Sequence, residues 1–256
     1  MNGFLAFLSK ECLFCVRSQR VLITVLVFAL LGVMNAPLAY YTPAILELAG
    51  AGDLADTMGI AQPTALEAWV QYFGNVGQMG ILAALLLCGS LLSGEKSKGT
   101  LVLPLTKGLG RSGVIVAKFI AMSALWSLGL LVSAATSAAC TLGLFPGEDV
   151  PHLLLGLVML WLLGMFLLSL ILPSSVVFRG SFAGLIIPGA VIVVLGILGV
   201  FPQLFFWSPL SLGGDSVLVM SGAKEAAVLL APSLVAAISI VACVVVSVML
   251  FRKSVV

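Results

Sequence analysis

Hydrophobic residues along this chain are neither spaced every third or fourth position nor alternated with polar ones; they come in long unbroken runs separated by short polar segments. A helix rises about 1.5 Å per residue, so crossing about 30 Å of hydrocarbon takes roughly 20 apolar residues in a row. Six runs reach that length: Val21 to Tyr41, Tyr72 to Leu92, Phe119 to Leu142, His152 to Leu172, Ser181 to Phe201 and Ala226 to Phe251. None of them holds a lysine, arginine, aspartate or glutamate. Unbroken runs predict helices rather than barrel strands, in which lipid-facing and lumen-facing residues alternate. The predicted class is all-α: a polytopic membrane protein with six transmembrane helices in one domain over residues 1–256.

Composition moves in the same direction. The chain is 61% hydrophobic and 9% charged, against roughly a quarter charged in soluble domains, so lipid is its main solvent. The net charge of +2 gives no sign of nucleic-acid binding, but the placement of the charges is informative. With six crossings, one set of connecting segments carries Lys10, Arg17, Arg20, Lys96, Lys98, Lys107, Arg111, Lys118, Arg179, Arg252 and Lys253, eleven of the twelve basic residues. The positive-inside bias makes that side cytoplasmic, with both termini on it. The opposite side carries Glu47, Asp53, Asp56, Glu67, Glu148, Asp149, Asp215 and Glu225, with Lys224 as its only base. One helix more or fewer would scramble this separation. The expected location is the cell (cytoplasmic or inner) membrane.

Three connecting segments stand out. Residues 1–20 mix Phe4, Leu5, Phe7, Leu8, Cys12 and Cys15 with Lys10, Glu11, Arg17 and Arg20, which predicts a helix lying in the cytoplasmic interface, the plainer alternative being a frayed tail. Residues 202–225 are too apolar for a solvated loop yet are broken by Pro202, Pro209, Gly213 and Gly214, which predicts short helical pieces dipping into the outer leaflet. Residues 93–118 form the one sizeable cytoplasmic loop, basic at its ends and apolar at its centre, with Leu101, Leu103 and Leu105 on a short amphipathic element. The plainer reading of that loop is a basic stop signal between two spans.

Enzyme chemistry finds little footing. Gly89 to Lys96 is the nearest approach to a phosphate loop, but Glu95 stands where the lysine is required and no strand precedes it. A single histidine, His152, and spans free of carboxylates leave no metal cage, proton relay or nucleophilic triad. Cys12 and Cys15 form a CxxC, which is half a zinc site with no second pair. On the second span Gln71, Asn75 and Gln78 recur at helical spacing among Gly74, Gly77 and Gly80. They are candidates for a substrate path, and equally for the polar glue of packed membrane helices.

The order of residues in the loop carries a resemblance. Gly94-Glu95, then Gly99-Thr100-Leu101, Leu105-Thr106, Gly110-Arg111 and Lys118-Phe119 are similar to the pattern of ABC-2 type permeases, as are Lys10-Glu11 and Arg17 to Arg20 before the first span. The wording resembles the sodium-export and copper-maturation branches, with a departure at the tip, Thr106 to Leu109. This resemblance implies a permease that couples through its 93–118 loop to a separate ABC ATPase, with Glu95, Gly99, Thr100, Leu101, Leu103, Leu105, Arg111 and Lys118 as coupling residues. Arg111 and Lys118 are expected to meet acidic groups of the partner or lipid phosphates, and Glu95 to hold an interhelical ion pair. It further implies no cofactor on this chain, ATP and Mg being bound by the ATPase, and a second permease subunit, identical or paralogous. The implied function is export by such a dimer. The alternatives are a maturation or signalling module acting on an extracytoplasmic partner, and an ATP-independent carrier.

Overall fold

The structure is a computed structural model, and it describes residues 3–48, 50, 63–97, 110–178, 180 and 182–253. All regular structure among them is helical. Helix α1 (Gly3–Arg17) turns into α2 (Arg20–Leu48) through Gln19, whose φ of 59° is the left-handed conformation that ends many helices. The next span is built in three pieces: α3 (Ala65–Asn75), a π-helical segment (Val76–Gly80) and α4 (Ile81–Ser97). Helix α5 (Arg111–Leu144) follows, then α6 (Leu153–Ser169) and α7 (Ile171–Val177). The break between α6 and α7 has a local cause: Pro173 offers no N–H and its ring crowds the carbonyl of Ser169 four residues back.

Among the described residues five helices are long and apolar enough to cross a membrane: Arg20–Ile45, Ala65–Lys96, Ser112–Leu144, Leu153–Val177 and Ala226–Lys253. The fifth expected span, Ser181 to Phe201, is a shorter element. It forms a 3-10 turn (Ala183–Leu185) continuing into α8 (Ile186–Leu198). Its start is tied to α7 and α4 by specific contacts. Ser174 Oγ donates to the carbonyl of Ala183 and accepts from the Ile187 N–H, and Gly184 lies so close to α4 that a Cβ there would fall 2.1 Å from the Gly89 carbonyl oxygen.

Residues 202–225 do form short helical pieces, α9 (Pro202–Phe205) and α10 (Ser211–Met220). Helix α10 buries Leu212, Val219 and Met220 against α6 and α3, and Lys224 closes on Asp215 at 2.6 Å. A 3-10 turn (Ala226–Leu229) leads into α11 (Leu230–Lys253).

The core gathers around α5, whose closest partner is α2. Gly32 makes that approach possible, since a Cβ there would meet the Ser133 carbonyl oxygen at 2.3 Å; small residues of this kind set close packing between membrane helices. Phe28 and Trp126 meet edge to face, with centroids 5.8 Å apart, and Trp126 lies over Gly164 while donating its ring N–H to the Trp161 carbonyl at 3.0 Å. The outside is apolar: Leu22, Leu26 and Leu30 of α2 and Leu234, Ile238 and Val241 of α11 are all exposed. Such a surface belongs against lipid or another apolar surface rather than in water.

Candidate functional site

Helix α1 buries one stripe, Phe7, Glu11 and Cys15, at the i, i+4, i+8 spacing of a single helix face. The middle member is a glutamate with no exposed surface, and an ionised group taken out of water must be paired. Its partner comes from the start of α5. Lys118 Nζ lies 2.8 Å from Glu11 Oε2 and 2.7 Å from Glu95 Oε2 of α4, and Lys118 is itself fully buried. Lys10 Nζ closes the circuit at 2.8 Å from Glu11 Oε1 and 2.9 Å from Glu95 Oε1.

Among the described residues two lysines and two glutamates thus form a ring in which each carboxylate oxygen meets an ammonium. The ring joins α1 to the two helices that flank residues 98–109. Burial alone would lower the pKa of Lys10, but its hydrogen bonds to Glu11 and Glu95 outweigh that and hold the ammonium above its ordinary value of 10.5. Burial pushes the Cys15 thiol up, which leaves it a packing group rather than a reactive one, while Cys12 of the same CxxC is exposed.

Other basic residues at this end are also used to tie helices together. Arg20 donates to the Leu87 carbonyl and, at 3.0 Å, to Ser90 Oγ of α4, with its guanidinium over the Phe14 ring. Lys96 donates to the carbonyls of Val176 and Ser175, which belong to the last turn of α7 and lack intrahelical partners. At the opposite end Thr64 and Glu67 form a capping box on α3, and Glu148, from the segment after α5, accepts the Ala65 N–H at 2.7 Å.

The expected coupling residues separate into three groups. Glu95 holds the interhelical ion pair expected of it. Lys118 is turned inward onto Glu11 and Glu95 instead of outward towards a partner or lipid phosphates, because its site near the start of α5 is covered by α1. Gly99, Thr100, Leu101, Leu103 and Leu105 lie outside the described residues, and Arg111 is described only as the first residue of α5. Glu11 was missed by sequence reasoning. Its signal was a carboxylate four residues from both Phe7 and Cys15 on the apolar stripe of an amphipathic helix.

The amides of the second span separate as well. Asn75 Nδ2 donates to Asn35 Oδ1 of α2 at 2.6 Å, and the fully buried Asn35 donates in turn to the Leu31 carbonyl. One turn away the Tyr72 hydroxyl pairs with Ser133 Oγ of α5 at 2.9 Å. Gln71 Oε1, Ser137 Oγ and Thr141 Oγ1 are buried with no hydrogen-bond partner among the described residues. Gln78 is exposed and does not join them. It lies in the π segment, where i→i+5 bonding adds a residue to the turn and rotates everything after it off the spacing that aligned it with Gln71 and Asn75.

Among the described residues no group of three or more histidine, cysteine, aspartate or glutamate side chains is placed to hold a metal ion. No curated protein matches the chain. A family model described as ABC-2 family transporter protein matches residues 5–212, which takes in the charge ring, the amide pair and the helices that carry them, and the chain belongs to that family.

Proposed function

We propose that this membrane protein is the permease subunit of an ATP-driven exporter in the cell membrane, working as a dimer above two copies of a separate ATPase that binds ATP and Mg. The observation that carries the reading is the charge ring. By clamping α1 to the ends of α4 and α5, it makes one body of the three elements around residues 98–109. Displacement of that loop by an ATPase then moves helices as a rigid unit instead of being absorbed locally, which is what coupling requires. Gly99, Thr100, Leu101, Leu103, Leu105 and Arg111 are the proposed contact, with Glu95 and Lys118 acting behind it.

In this reading α8 is the sixth crossing. Its regular part, residues 183–198, spans about 24 Å, and Gly199 to Phe201 extend the apolar stretch. Local thinning of the bilayer accommodates a span that short. Six crossings keep Arg252 and Lys253 on the same side as Lys10, Arg20, Lys96 and Lys118, whereas five would place them among the outer acidic residues. Helix α1 then lies in the cytoplasmic interface with Leu5, Leu13 and Val16 in the lipid, and α9 and α10 sit in the outer leaflet. Gln71 and Asn75, both half-buried, are the proposed polar contacts for a substrate passing from the cytoplasm at the subunit interface, with the buried Asn35 holding Asn75 in place.

Replacing Leu103 or Leu105 by aspartate is the test. Both variants are expected to insert in the membrane but to lose ATPase in co-purification and ATP turnover in lipid, because an apolar side chain in a partner's groove is worth about 1.5–3 kcal/mol and a buried unpaired carboxylate costs more. Wild-type assembly and turnover in both would remove the loop from this role.

A further inference from the structure

The second span keeps one face clear of the rest of the chain. Between Ala65 and Lys96 its exposed residues are Val70, Gly74, Gln78, Leu82 and Leu86, repeating every fourth position, with Glu67 and Met79 beside them. Two of these are out of place against lipid. Gln78 lies about 4 Å along the axis from the midpoint of the span, yet its carboxamide has no hydrogen-bond partner among the described residues. In hydrocarbon such a group loses its water and gains nothing in exchange. Gly74 weakens the helix and makes no contact that would explain it, since a Cβ there would meet nothing within 4 Å. Gly32, Gly164 and Gly184, by contrast, each lie against a neighbouring helix.

We propose that a second copy of the chain docks on this face, with Gln78 pairing to its own counterpart across a two-fold axis. The assignment rests on the dimer of the proposed function and names the face that makes it. Lipid would leave Gln78 unpaired, and a water-filled path would wet Leu82 and Leu86, which are 53% and 55% exposed. A protein surface that carries a carboxamide among apolar residues at the same depth suits both, and the chain itself presents one. Copies inserted in one membrane share an orientation, so a two-fold axis between them runs along the membrane normal and brings each residue beside it to its counterpart at the same level. A carboxamide is its own complement, because the N–H of each donates to the C=O of the other. Leu82 and Leu86 then meet their like. Residues repeating every fourth position pack along the i±4 ridge, and a glycine on that ridge lets the two backbones approach closely. Glu67 is the one charged member of the set, and it lies at the outer end of the span, where water and salt screen it from its counterpart.

The test uses the full chain in vesicles of phosphatidylethanolamine and phosphatidylglycerol. Gln78→Cys, oxidised with copper phenanthroline, is expected to give a disulfide-linked dimer well above the background of the native cysteines, whereas Ile238→Cys on the exposed side of α11 is expected to stay at that background. Association is then followed by counting photobleaching steps of fluorescently labelled chains as the protein-to-lipid ratio is lowered. Gln78→Leu is expected to weaken it on the order of tenfold, the usual worth of an interhelical carboxamide bond in lipid. Gly74→Ala, whose new Cβ meets nothing in its own chain, is expected to weaken association by a similar factor while thermal unfolding is unchanged or slightly raised. A dimer that persists with no crosslink through Gln78→Cys, that crosslinks through Ile238→Cys instead, or that neither variant weakens would overturn the assignment of the face and leave the dimer standing. A chain that stays monomeric at every ratio would overturn both.

Discussion

At the α1 end, Glu11, Glu95, Lys10 and Lys118 leave no carboxylate oxygen of the ring without an ammonium. In the seam between α2, α3 and α5, the Asn35–Asn75 and Tyr72–Ser133 bonds sit beside Gln71 Oε1, Ser137 Oγ and Thr141 Oγ1, which have no partner among the described residues. Both regions take polar groups out of water, so the difference lies in what each can tolerate. An unpaired buried charge costs several kcal/mol, and a ring of charges is therefore built complete. A neutral hydroxyl or amide left over costs about 1–3 kcal/mol, a sum that a packed membrane bundle absorbs. The charged region is accordingly rigid and all-or-none, and the neutral one graded.

The sharpest way to break this contrast is Lys118→Met. It strands two carboxylates beside one ammonium and is expected to lower stability by about 3–5 kcal/mol in thermal unfolding of the detergent-purified protein. Removing Glu11 as well, in a Lys118→Met/Glu11→Leu variant, leaves Lys10 and Glu95 as a matched pair and is expected to restore much of the loss. A double variant worse than the single would end the ring interpretation.

In the seam the effects step down. Asn75→Ala orphans the buried Asn35 carboxamide oxygen, with an expected cost of about 1–3 kcal/mol by the same measurement. Tyr72→Phe removes one neutral hydrogen bond while Ser133 keeps its bond to the Leu130 carbonyl, so about 0.5–1.5 kcal/mol is expected. Ser137→Ala deletes a hydroxyl that has no partner among the described residues and is expected to range from neutral to about 1 kcal/mol stabilising. If Ser137→Ala instead cost as much as Asn75→Ala, that hydroxyl would have to be bonded in the membrane, and the seam would be as complete as the ring.

Much of the fold was legible because it depends on local composition. Twenty apolar residues in a row determine a crossing wherever they occur, and five of the six expected runs form helices of that length. The exception, α8, begins where Gly184 lies against Gly89 and Ser174 bonds to Ala183, contacts made across the chain that no local run of apolar residues foretells. The functional residues divide the same way. Glu95 stood out by its place at the end of a span. The inward turn of Lys118 depends on Glu11, on a helix far off in sequence, and Asn35 joined Asn75 only through the crossing of α2 and α3. Gln78 was misaligned for a different reason. The spacing argument assumes a continuous α-helix, and the π segment at Val76–Gly80 breaks that assumption at the point where it was used.

The ring also orders the events of biosynthesis. Glu11 is made well before its partner, since Lys118 follows it by 107 positions, beyond the next two spans. At about 5–20 residues per second the ribosome takes on the order of ten seconds to supply that partner. Throughout that interval the carboxylate has to remain hydrated, so α1 cannot seat itself beside α2 as the first span enters the bilayer. It docks only when α5 arrives, so a helix synthesised before the next two spans reaches its place after them.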